Sequence, residues 1–335
     1  MPFHAIPESR HDAAQRALRE AFGKCVPADP ALLSGGVSGA LIIRFQVRGR
    51  PYVLRVEPER IAIENRRRGF ACMAIAAGQG VAPRVYYADA AAGVAIMDFV
   101  SSRPLSDHPA GEAGLVRELG ALIAALQCGP EFPGCAGYPA MIESLLSSLS
   151  TSPFMRSDEL QPCADGLALI RSGISWDSAA LVASHNDPNS RNILFDGARV
   201  WLVDWELGFQ NDPLVDLAIL THELAATPDL ETILLKAALG VPPSRRVRAR
   251  LHVVRVLARL FYGCIVLDSL RGAEHLAASG ANVPFKPTTF RRAIQEGRLA
   301  SGAPATAYAF ARMSIAAFID GVCAPEFRDC LSRAQ

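Results

Sequence analysis

Apolar and polar residues alternate along several short stretches of the first hundred residues, which is the pattern of half-buried strands. The four stretches that predict strands are 41–47, 52–56, 85–88 and 94–100. Polar and glycine-containing turns separate the first two and the last two, so each pair predicts a strand–turn–strand unit. Apolar residues at helical spacing predict two helices in the same region, 7–23 and 61–77.

The apolar period changes after residue 100 and becomes mainly helical. The helices predicted by this period include 112–128, 139–150, 157–172 and 247–272. Between them, the apolar stretches 193–195 and 200–204 flank the turn sequence DGAR and predict one embedded hairpin. The pattern therefore predicts an α+β protein with a sheet-rich unit over residues 1–100 and a larger helical unit over 101–335, joined near residues 98–104.

Composition excludes some classes of partner. The 335 residues are 50% hydrophobic and 20% charged, with a net charge of +1, which is typical of a globular protein. A charge so close to zero predicts no nucleic-acid partner and no anionic membrane partner. No run of 18 apolar residues occurs, and charges arrive too early for a secretory leader, so we expect a cytoplasmic protein. The eight Cys form no C-x-x-C pair, which favours reduced thiols over a zinc site.

A polar stretch, SHNDPNSRN at residues 184–192, leads directly into the predicted hairpin. Asn192 precedes the first strand and Asp204 ends the second, so the hairpin should bring these two side chains together, with Asp187 one loop away. Carboxylate and amide oxygens without thiolates favour Mg²⁺. The remaining carboxylate could accept a hydroxyl proton, and the set is typical of phosphoryl transfer. The alternative is an ordinary polar loop that uses Asp and Asn as turn formers.

These motifs resemble the aminoglycoside phosphotransferase/choline kinase family. The resemblance rests on H-N-D at 185–187 with Asn192, on D-W-E at 204–206, and on N-D-P-x-x-D-L-A at 211–218. H-N-D is closer to the bacterial choline/ethanolamine kinase branch than to the antibiotic-modifying branch, where H-G-D is more usual. The resemblance implies a two-lobed, protein-kinase-like fold with an N-terminal antiparallel-sheet lobe for nucleotide and a mainly helical C-terminal lobe for catalysis and substrate.

The resemblance also implies roles for the residues of the polar stretch. Asp187 would be the catalytic base, and Asn192 and Asp204 would hold Mg²⁺. His185 would brace the loop, and Asp216 would accept backbone N–H groups of that loop. Arg191 could bind phosphate as a catalytic residue or pair with a neighbouring acid.

On the nucleotide side, the resemblance implies a Gly-rich loop at Ser34, Gly35, Gly36 and Ser38 that would approach the phosphates of ATP. Arg55 occupies the strand position of the usual phosphate-binding cation, and the chain has only three Lys against 31 Arg. The segment with Met97, Asp98 and Val100 would be the hinge that contacts adenine.

One departure concerns the helix after Arg55. The family commonly has a glutamate where this chain has Gly69, and the nearest helix acid is Glu64. Three alternatives remain at this point: Glu64 replaces the missing glutamate, the partner of Arg55 comes from elsewhere, or ATP is held loosely.

The resemblance predicts an ATP-dependent kinase that acts on a hydroxyl group of a small metabolite. Choline or ethanolamine is the first expectation, with Glu206, Trp205 and Tyr262 as candidate contacts to an ammonium group. From residue 211 onward there are 11 acidic and 15 basic residues, which disfavours a polycationic aminoglycoside. An aminoglycoside or other small-molecule kinase, and a nucleotide-binding pseudokinase, are the alternatives. We expect a monomer or a homodimer.

Overall fold

The structure is a computed structural model and describes residues 5–33, 39–176, 180–278, 286–300 and 302–335. The chain divides into two compact units. The first unit contains Met1–Cys135, Val182–Asp216 and Glu223–Pro242. The second unit contains Ala136–Leu181, Leu217–His222 and Pro243–Gln335. This division differs from the boundary predicted near residue 100, which stays a prediction.

The helices and strands of the described residues have the following bounds. The helices are α1 (His11–Phe22), α2 (Ile63–Gly78), α3 (Gly111–Gln127), α4 (Tyr138–Leu149), α5 (Ser157–Gly173), α6 (Val215–Glu223), α7 (Pro228–Leu239), α8 (Arg245–Ser269), α9 (His275–Ala278), α10 (Pro287–Gln295), α11 (Pro304–Cys323) and α12 (Pro325–Arg333). The strands are β1 (Ala28–Leu33), β2 (Leu41–Val47), β3 (Arg50–Val56), β4 (Val85–Asp89), β5 (Val94–Asp98), β6 (Val182–Ser184), β7 (Ile193–Phe195), β8 (Val200–Leu202) and β9 (Phe209–Asn211).

The first unit contains a five-stranded antiparallel sheet in the order β1-β2-β3-β5-β4. The four strands predicted from alternation are present, which confirms the predicted antiparallel sheet. The edge strand β1 was not predicted, because its sequence ADPALL contains Asp29 and Pro30 and its residues are mostly exposed. Asp29 has a φ of 48°, and the register with β2 shifts at this point, as in an edge strand with a bulge.

The two faces of strand β3 have different roles: one contributes to the hydrophobic core, and the other carries a residue of the site described below. Tyr52, Leu54 and Val56 point to the face covered by α1 and are buried in the core there. Successive side chains of a strand point to opposite faces, so Val53 and Arg55 point away from α1. The alternation of β3 therefore places Arg55 on the other face of the sheet.

Two short antiparallel pairs carry the polar stretch 184–192. Strands β7 and β8 form the predicted hairpin, with Ile193 opposite Leu202 and Phe195 opposite Val200. The Val203 N–H group donates to Asn192 O at 2.9 Å, so the ladder continues to the position before Asp204. Strand β6 pairs with β9, which frames the other end of the polar stretch.

The second unit consists mainly of helices, as predicted for this part of the chain. Helices α8 and α11 approach closely at Gly263, where a Cβ atom would lie 2.5 Å from Ile315 Cγ1. Arg312 and Glu159 form a buried ion pair, with Nη1 2.6 Å from Oε2, and Arg312 also donates to Phe154 O. This pair connects α11 to α5 inside the unit.

His222, near the end of α6 in the second unit, is a partly buried histidine whose Nε2 atom is inaccessible to solvent. Burial lowers its pKa to about 3, and the nearby guanidinium groups of Arg259 and Arg255 add to the shift. The folded chain therefore holds His222 neutral at pH values where an exposed imidazole would be protonated.

Membrane spans need long, continuous apolar helices. No single helix of the described residues is long and apolar enough to cross a membrane, while α11 and α12, which meet at a bend of 75°, satisfy the criterion only as a pair.

Candidate active site

The loop after β6 is anchored by the buried carboxylate of Asp216. Its Oδ2 atom accepts from His185 N at 2.9 Å and its Oδ1 atom accepts from Asn186 N at 2.7 Å. Burial raises the pKa of Asp216, while the nearby His185 and the two backbone N–H groups oppose that shift. This geometry supports the predicted role of Asp216 as the acceptor for the loop backbone.

Asn186 connects the same loop to the segment that follows Asp204. Its φ of 64° is left-handed, a conformation that Asn adopts more readily than most residues. The Asn186 Nδ2 group donates to Leu207 O at 2.9 Å, and Oδ1 accepts from Asn211 Nδ2 at 2.7 Å. The side chain therefore fixes the distance between the loop and the short 3₁₀ turn Trp205–Leu207.

His185 is fully buried beneath the loop. Its Nε2 atom lies 2.9 Å from Val203 O, and Nδ1 lies 3.3 Å from Asp187 N. These contacts assign the proton to Nε2, because the N–H group of Asp187 needs Nδ1 as an acceptor. The arrangement supports the predicted bracing role of His185, since both ring nitrogens are occupied by backbone atoms.

Both carboxylate oxygens of Asp187 accept side-chain hydrogen bonds. Oδ1 accepts from Asn189 Nδ2 at 2.8 Å, and Oδ2 accepts from Asn192 Nδ2 at 2.9 Å. Sequence reasoning missed Asn189, although an amide two residues after an Asp is within reach of its carboxylate. Arg191 is exposed, and its predicted phosphate contact stays a prediction.

The far end of the loop has its own anchor. Ser190 donates to Glu223 Oε2 twice, from Oγ at 2.7 Å and from its backbone N–H group at 3.2 Å. The loop is therefore held at both ends, with Asp187 between the anchors.

Asn192 and Asp204 provide hard oxygen donors of the type that Mg²⁺ prefers. Since Asn192 Nδ2 donates to both Asp187 O and Oδ2, its Oδ1 atom is directed away from Asp187. Asp204 has a left-handed φ of 68°, and its Oδ1 atom is buried and accepts no hydrogen bond from the described residues. These residues fit a magnesium site, since Mg²⁺ commonly takes one or two protein oxygens and completes its coordination with phosphate and water. Over the same described ranges, no three His, Cys, Asp or Glu side chains are grouped to hold a metal ion without such additional ligands.

Arg55 lies next to the same carboxylates. Its Nη2 atom is 3.0 Å from Asp204 Oδ1 and 3.5 Å from Glu206 Oε2, which are ion-pair distances, and its Nε atom donates to Glu57 Oε1 at 2.6 Å. Burial alone would lower the pKa of Arg55, but the charges of Asp204 and Glu57 outweigh this effect and raise it. Burial and the charge of Asp204 raise the pKa of Glu206. A single guanidinium therefore faces three carboxylates.

The partner of Arg55 comes from its own strand region and not from α2. Sequence reasoning missed Glu57, because the predicted strand ended at Val56. Gly69 packs against the turn after Asp204, where an added Cβ atom would lie 3.3 Å from Glu206 Cα. Glu64 is exposed. Of the three alternatives left open by the sequence, the geometry thus favours the one in which the partner of Arg55 comes from outside α2.

The three candidate ammonium contacts differ in exposure. Trp205 is 4% exposed, and its ring packs 4.5 Å from that of His185 and 5.7 Å from that of Phe132. This packing favours a core role, while the Glu206 side chain remains 39% exposed. Tyr262 belongs to the second unit, where its ring packs against Phe310. All three substrate contacts stay predictions.

The predicted nucleotide contacts are only partly described. Ser34, Gly35, Gly36 and Ser38 lie outside the described residues. In the predicted hinge Met97–Val100, the Asp98 N–H group already donates to Arg84 O at 2.9 Å. The Phe99 N–H group donates to Pro51 O at 3.4 Å, so an adenine contact from this segment would not use the N–H group of Asp98 or Phe99. Asp98 and Val100 also line a pocket of about 260 Å³ together with Trp201.

Comparison with known protein families decides the broader classification. The sequence model of the phosphotransferase enzyme family matches residues 31–249, which include Arg55 and the whole loop around Asp187. The chain belongs to the phosphotransferase enzyme family. Membership confirms the predicted family and an enzyme of the phosphotransferase class, and the solved structures below confirm the kinase-like α+β fold. Among curated protein sequences, none matches the chain.

Solved structures of this phosphotransferase's fold include kinases and antibiotic-modifying enzymes. A choline/ethanolamine kinase family protein from Mesorhizobium loti matches with a TM-score of 0.69 and 23% identity, covering 97% of this chain and 99% of that chain. Choline kinase LicA from Streptococcus pneumoniae matches with a TM-score of 0.60 and 14% identity, covering 85% and 97%. The macrolide 2′-phosphotransferase MphH from Brachybacterium faecium matches with a TM-score of 0.57 and 17% identity, covering 84% and 100%. At these identities the likeness shows the fold.

Proposed function

We propose that this phosphotransferase moves the γ-phosphoryl group of ATP to a hydroxyl group of a small metabolite, with choline or ethanolamine as the first candidate acceptor. The observation that carries the proposal is the hydrogen bond from Asn192 Nδ2 to Asp187 Oδ2 at 2.9 Å. It joins the proposed base to a proposed metal ligand, and the hairpin places Asn192 beside the residue that precedes Asp204.

In the proposed reaction, the acceptor oxygen forms a bond to the γ-phosphorus while the bond from that phosphorus to the β–γ bridging oxygen breaks, and ADP leaves. Asp187 orients the acceptor hydroxyl and accepts its proton. Asn189 and Asn192 hold the two carboxylate oxygens of Asp187 in place for this step.

The phosphate groups need positive charge next to the carboxylates. Asn192 and Asp204 would hold Mg²⁺, which when bound neutralises charge on the phosphate oxygens. Arg55 would bind phosphate oxygens through its Nη groups, of which Nη2 lies 3.0 Å from Asp204 Oδ1. The rigid loop and the paired Arg55 support catalysis by positioning and by electrostatic stabilisation.

Three observations support an amino alcohol as the acceptor. The H-N-D and D-W-E motifs resemble the choline/ethanolamine kinase branch, and two of the solved relatives above are named for choline or ethanolamine. The excess of basic over acidic residues after residue 210 disfavours a polycationic aminoglycoside. Glu206, partly exposed beside Asp204, is the acid best placed to meet a single ammonium group.

A nucleotide-binding pseudokinase is the alternative from a different class. This alternative was considered because α2 has Gly69 where the family commonly has a glutamate that pairs with the phosphate-binding cation. In the structure, Arg55 has a carboxylate partner in Glu57. Because the base, the proposed metal ligands and the phosphate-binding cation are all present, the site favours an active enzyme.

The test is a panel of hydroxylated metabolites assayed for ADP release with ATP and Mg²⁺. The panel includes choline, ethanolamine, an aminoglycoside and a macrolide. We expect ADP release with an amino alcohol, and a loss of about 10²–10⁴-fold in turnover for Asp187→Ala. Ser106→Ala, a substitution of an exposed serine in the short turn Leu105–Asp107, is the matched control. Full turnover by Asp187→Ala would refute the assignment of Asp187 as the base. ADP release with the macrolide alone would refute the proposal that the acceptor is an amino alcohol.

A further inference from the structure

The Arg55 guanidinium is bound by a carboxylate two positions along the same chain segment. Side chains two apart on a strand point to the same face, so Glu57 lies beside Arg55 on the face away from α1. Glu57 Oε1 accepts from Arg55 Nε at 2.6 Å, and the Glu57 side chain is only 6% exposed. The Glu57 N–H group donates to Gly93 O at 2.8 Å. The backbone that carries the carboxylate is therefore held by the sheet.

Different nitrogen atoms of the guanidinium face different partners. Nε is bound to Glu57, while Nη2 lies near Asp204 and Glu206. A guanidinium presents several N–H groups in a rigid fork, so Nε can keep a carboxylate while the Nη groups bind phosphate oxygens. If Asp204 turns its carboxylate to a metal ion, Arg55 loses that partner. The contact from Nε to Glu57 does not depend on Asp204 and can persist.

Helix α2 cannot supply an acid in place of Glu57. A Cβ atom added at Gly69 would lie 3.3 Å from Glu206 Cα and 3.3 Å from Trp205 O, so a glutamate there would displace backbone. Glu64, earlier in the same helix, is exposed. Of the three carboxylates that Arg55 faces, only Glu57 is both nearly inaccessible to solvent and outside the proposed metal site.

We propose that Glu57 is the positioning residue that holds Arg55 for the nucleotide phosphates, in place of the helix glutamate that the family resemblance predicts. The inference rests on the proposed function, because it requires Arg55 to bind phosphate groups. It predicts that removing the Glu57 charge weakens binding of the phosphates and leaves binding of the nucleoside part unchanged.

The experiment compares Glu57→Gln with Glu64→Gln in the full chain. Glutamine keeps the size of the Glu57 side chain, so the fold is preserved, but its neutral oxygen binds the Arg55 guanidinium more weakly than a carboxylate does. Calorimetric titrations use two probes, ATP with Mg²⁺ and adenosine. For Glu57→Gln we expect ATP affinity to fall about tenfold and adenosine affinity to change by less than about twofold. Glu64→Gln should change neither affinity.

The outcomes separate a positioning role from a structural one. Equal losses for ATP and adenosine, or no loss for ATP, would overturn the role of Glu57. In the Arg55→Gln background, Glu57→Gln should cause no additional loss of ATP affinity, because Glu57 acts through Arg55. A further loss in that background would also overturn the inference. If the unmodified chain binds no ATP, the proposed function fails together with the inference, whereas normal ATP binding by Glu57→Gln refutes only the role of Glu57.

Discussion

Replacing Gly69 by glutamate would restore an acid where the family resemblance predicts one, and the structure predicts that this change is harmful. A Cβ atom at Gly69 would lie 3.3 Å from Glu206 Cα and 3.3 Å from Trp205 O. Both are backbone atoms, so the turn Trp205–Leu207 or α2 would have to move by a few tenths of an ångström even for alanine.

The cost follows from packing and helix propensity. Overpacking a tight contact costs about 1–3 kcal/mol. Alanine is a better helix former than glycine by about 1 kcal/mol, which offsets part of this overpacking cost. We therefore expect Gly69→Ala to lose about 0–2 kcal/mol of the free energy of unfolding. Gly69→Glu adds a carboxylate to a buried contact and should lose about 3 kcal/mol or more.

Activity should fall as well, because the displaced turn begins directly after Asp204. A small misplacement of groups in an active site can cost up to about 100-fold in rate, so we expect a loss on the order of tenfold for Gly69→Ala. The assays are urea unfolding and ADP release with the acceptor found by the metabolite panel. Gly78→Ala is the matched control, since it lies in the same helix and a Cβ atom added there would have no neighbour within 4 Å. If Gly69→Glu were as stable as the unmodified chain and bound ATP more tightly, α2 would be able to supply the partner of Arg55, and the packing argument would be refuted.

Three further predictions concern the loop and a partly buried histidine. Asn189→Ala should leave ATP affinity unchanged and lower turnover about tenfold in the ADP-release assay, because the Oδ1 atom of Asp187 loses its hydrogen bond from Asn189. Asp216→Asn should lose about 3 kcal/mol in urea unfolding, since one amide oxygen cannot accept from both backbone N–H groups; an unchanged midpoint would contradict this. The pKa of His222 is lowered to about 3 in the folded chain, so its unfolded form takes up a proton first as the pH falls. Stability should therefore decrease by about 2 kcal/mol between pH 7.5 and pH 5. Urea unfolding at the two pH values should show a decrease in stability that is smaller by this amount for His222→Gln than for His275→Gln, a control at an exposed site. Equal decreases in the two variants would rule the effect out.

The parts of the fold that the sequence predicted are those specified by local pattern. Strands β2 and β3 and the β7–β8 hairpin have clear alternation and recognisable turn residues, so neighbouring residues suffice to identify them. The proximity of Asn192 to Asp204 followed from the geometry of the hairpin alone. Strand β1 was missed because its sequence lacks that alternation and its pairing comes from β2.

The contacts that the sequence could not predict depend on distant elements. The close approach of Gly69 to the turn after Asp204 joins residues more than 130 positions apart, so the glycine looked like a missing acid when it is a packing requirement. Glu57 was overlooked because it lies one residue beyond the end of the predicted strand. Only if the alternation of β3 continues past Val56 does Glu57 lie on the same face as Arg55. Asn189 was overlooked because Asx hydrogen bonds depend on side-chain rotamers, which periodicity does not specify.

Asn186 has a consequence for how this site can change over generations. Its left-handed backbone could be supplied by glycine, but glycine would remove the bonds to Leu207 and Asn211. A lineage that replaces Asn186 would leave the Asn211 amide buried without this acceptor, so selection should favour a compensating change there. Homologous chains should therefore keep Asn186 and Asn211 together or replace both. Where both are kept, the distance between the loop that carries Asp187 and the turn Trp205–Leu207 should be kept as well.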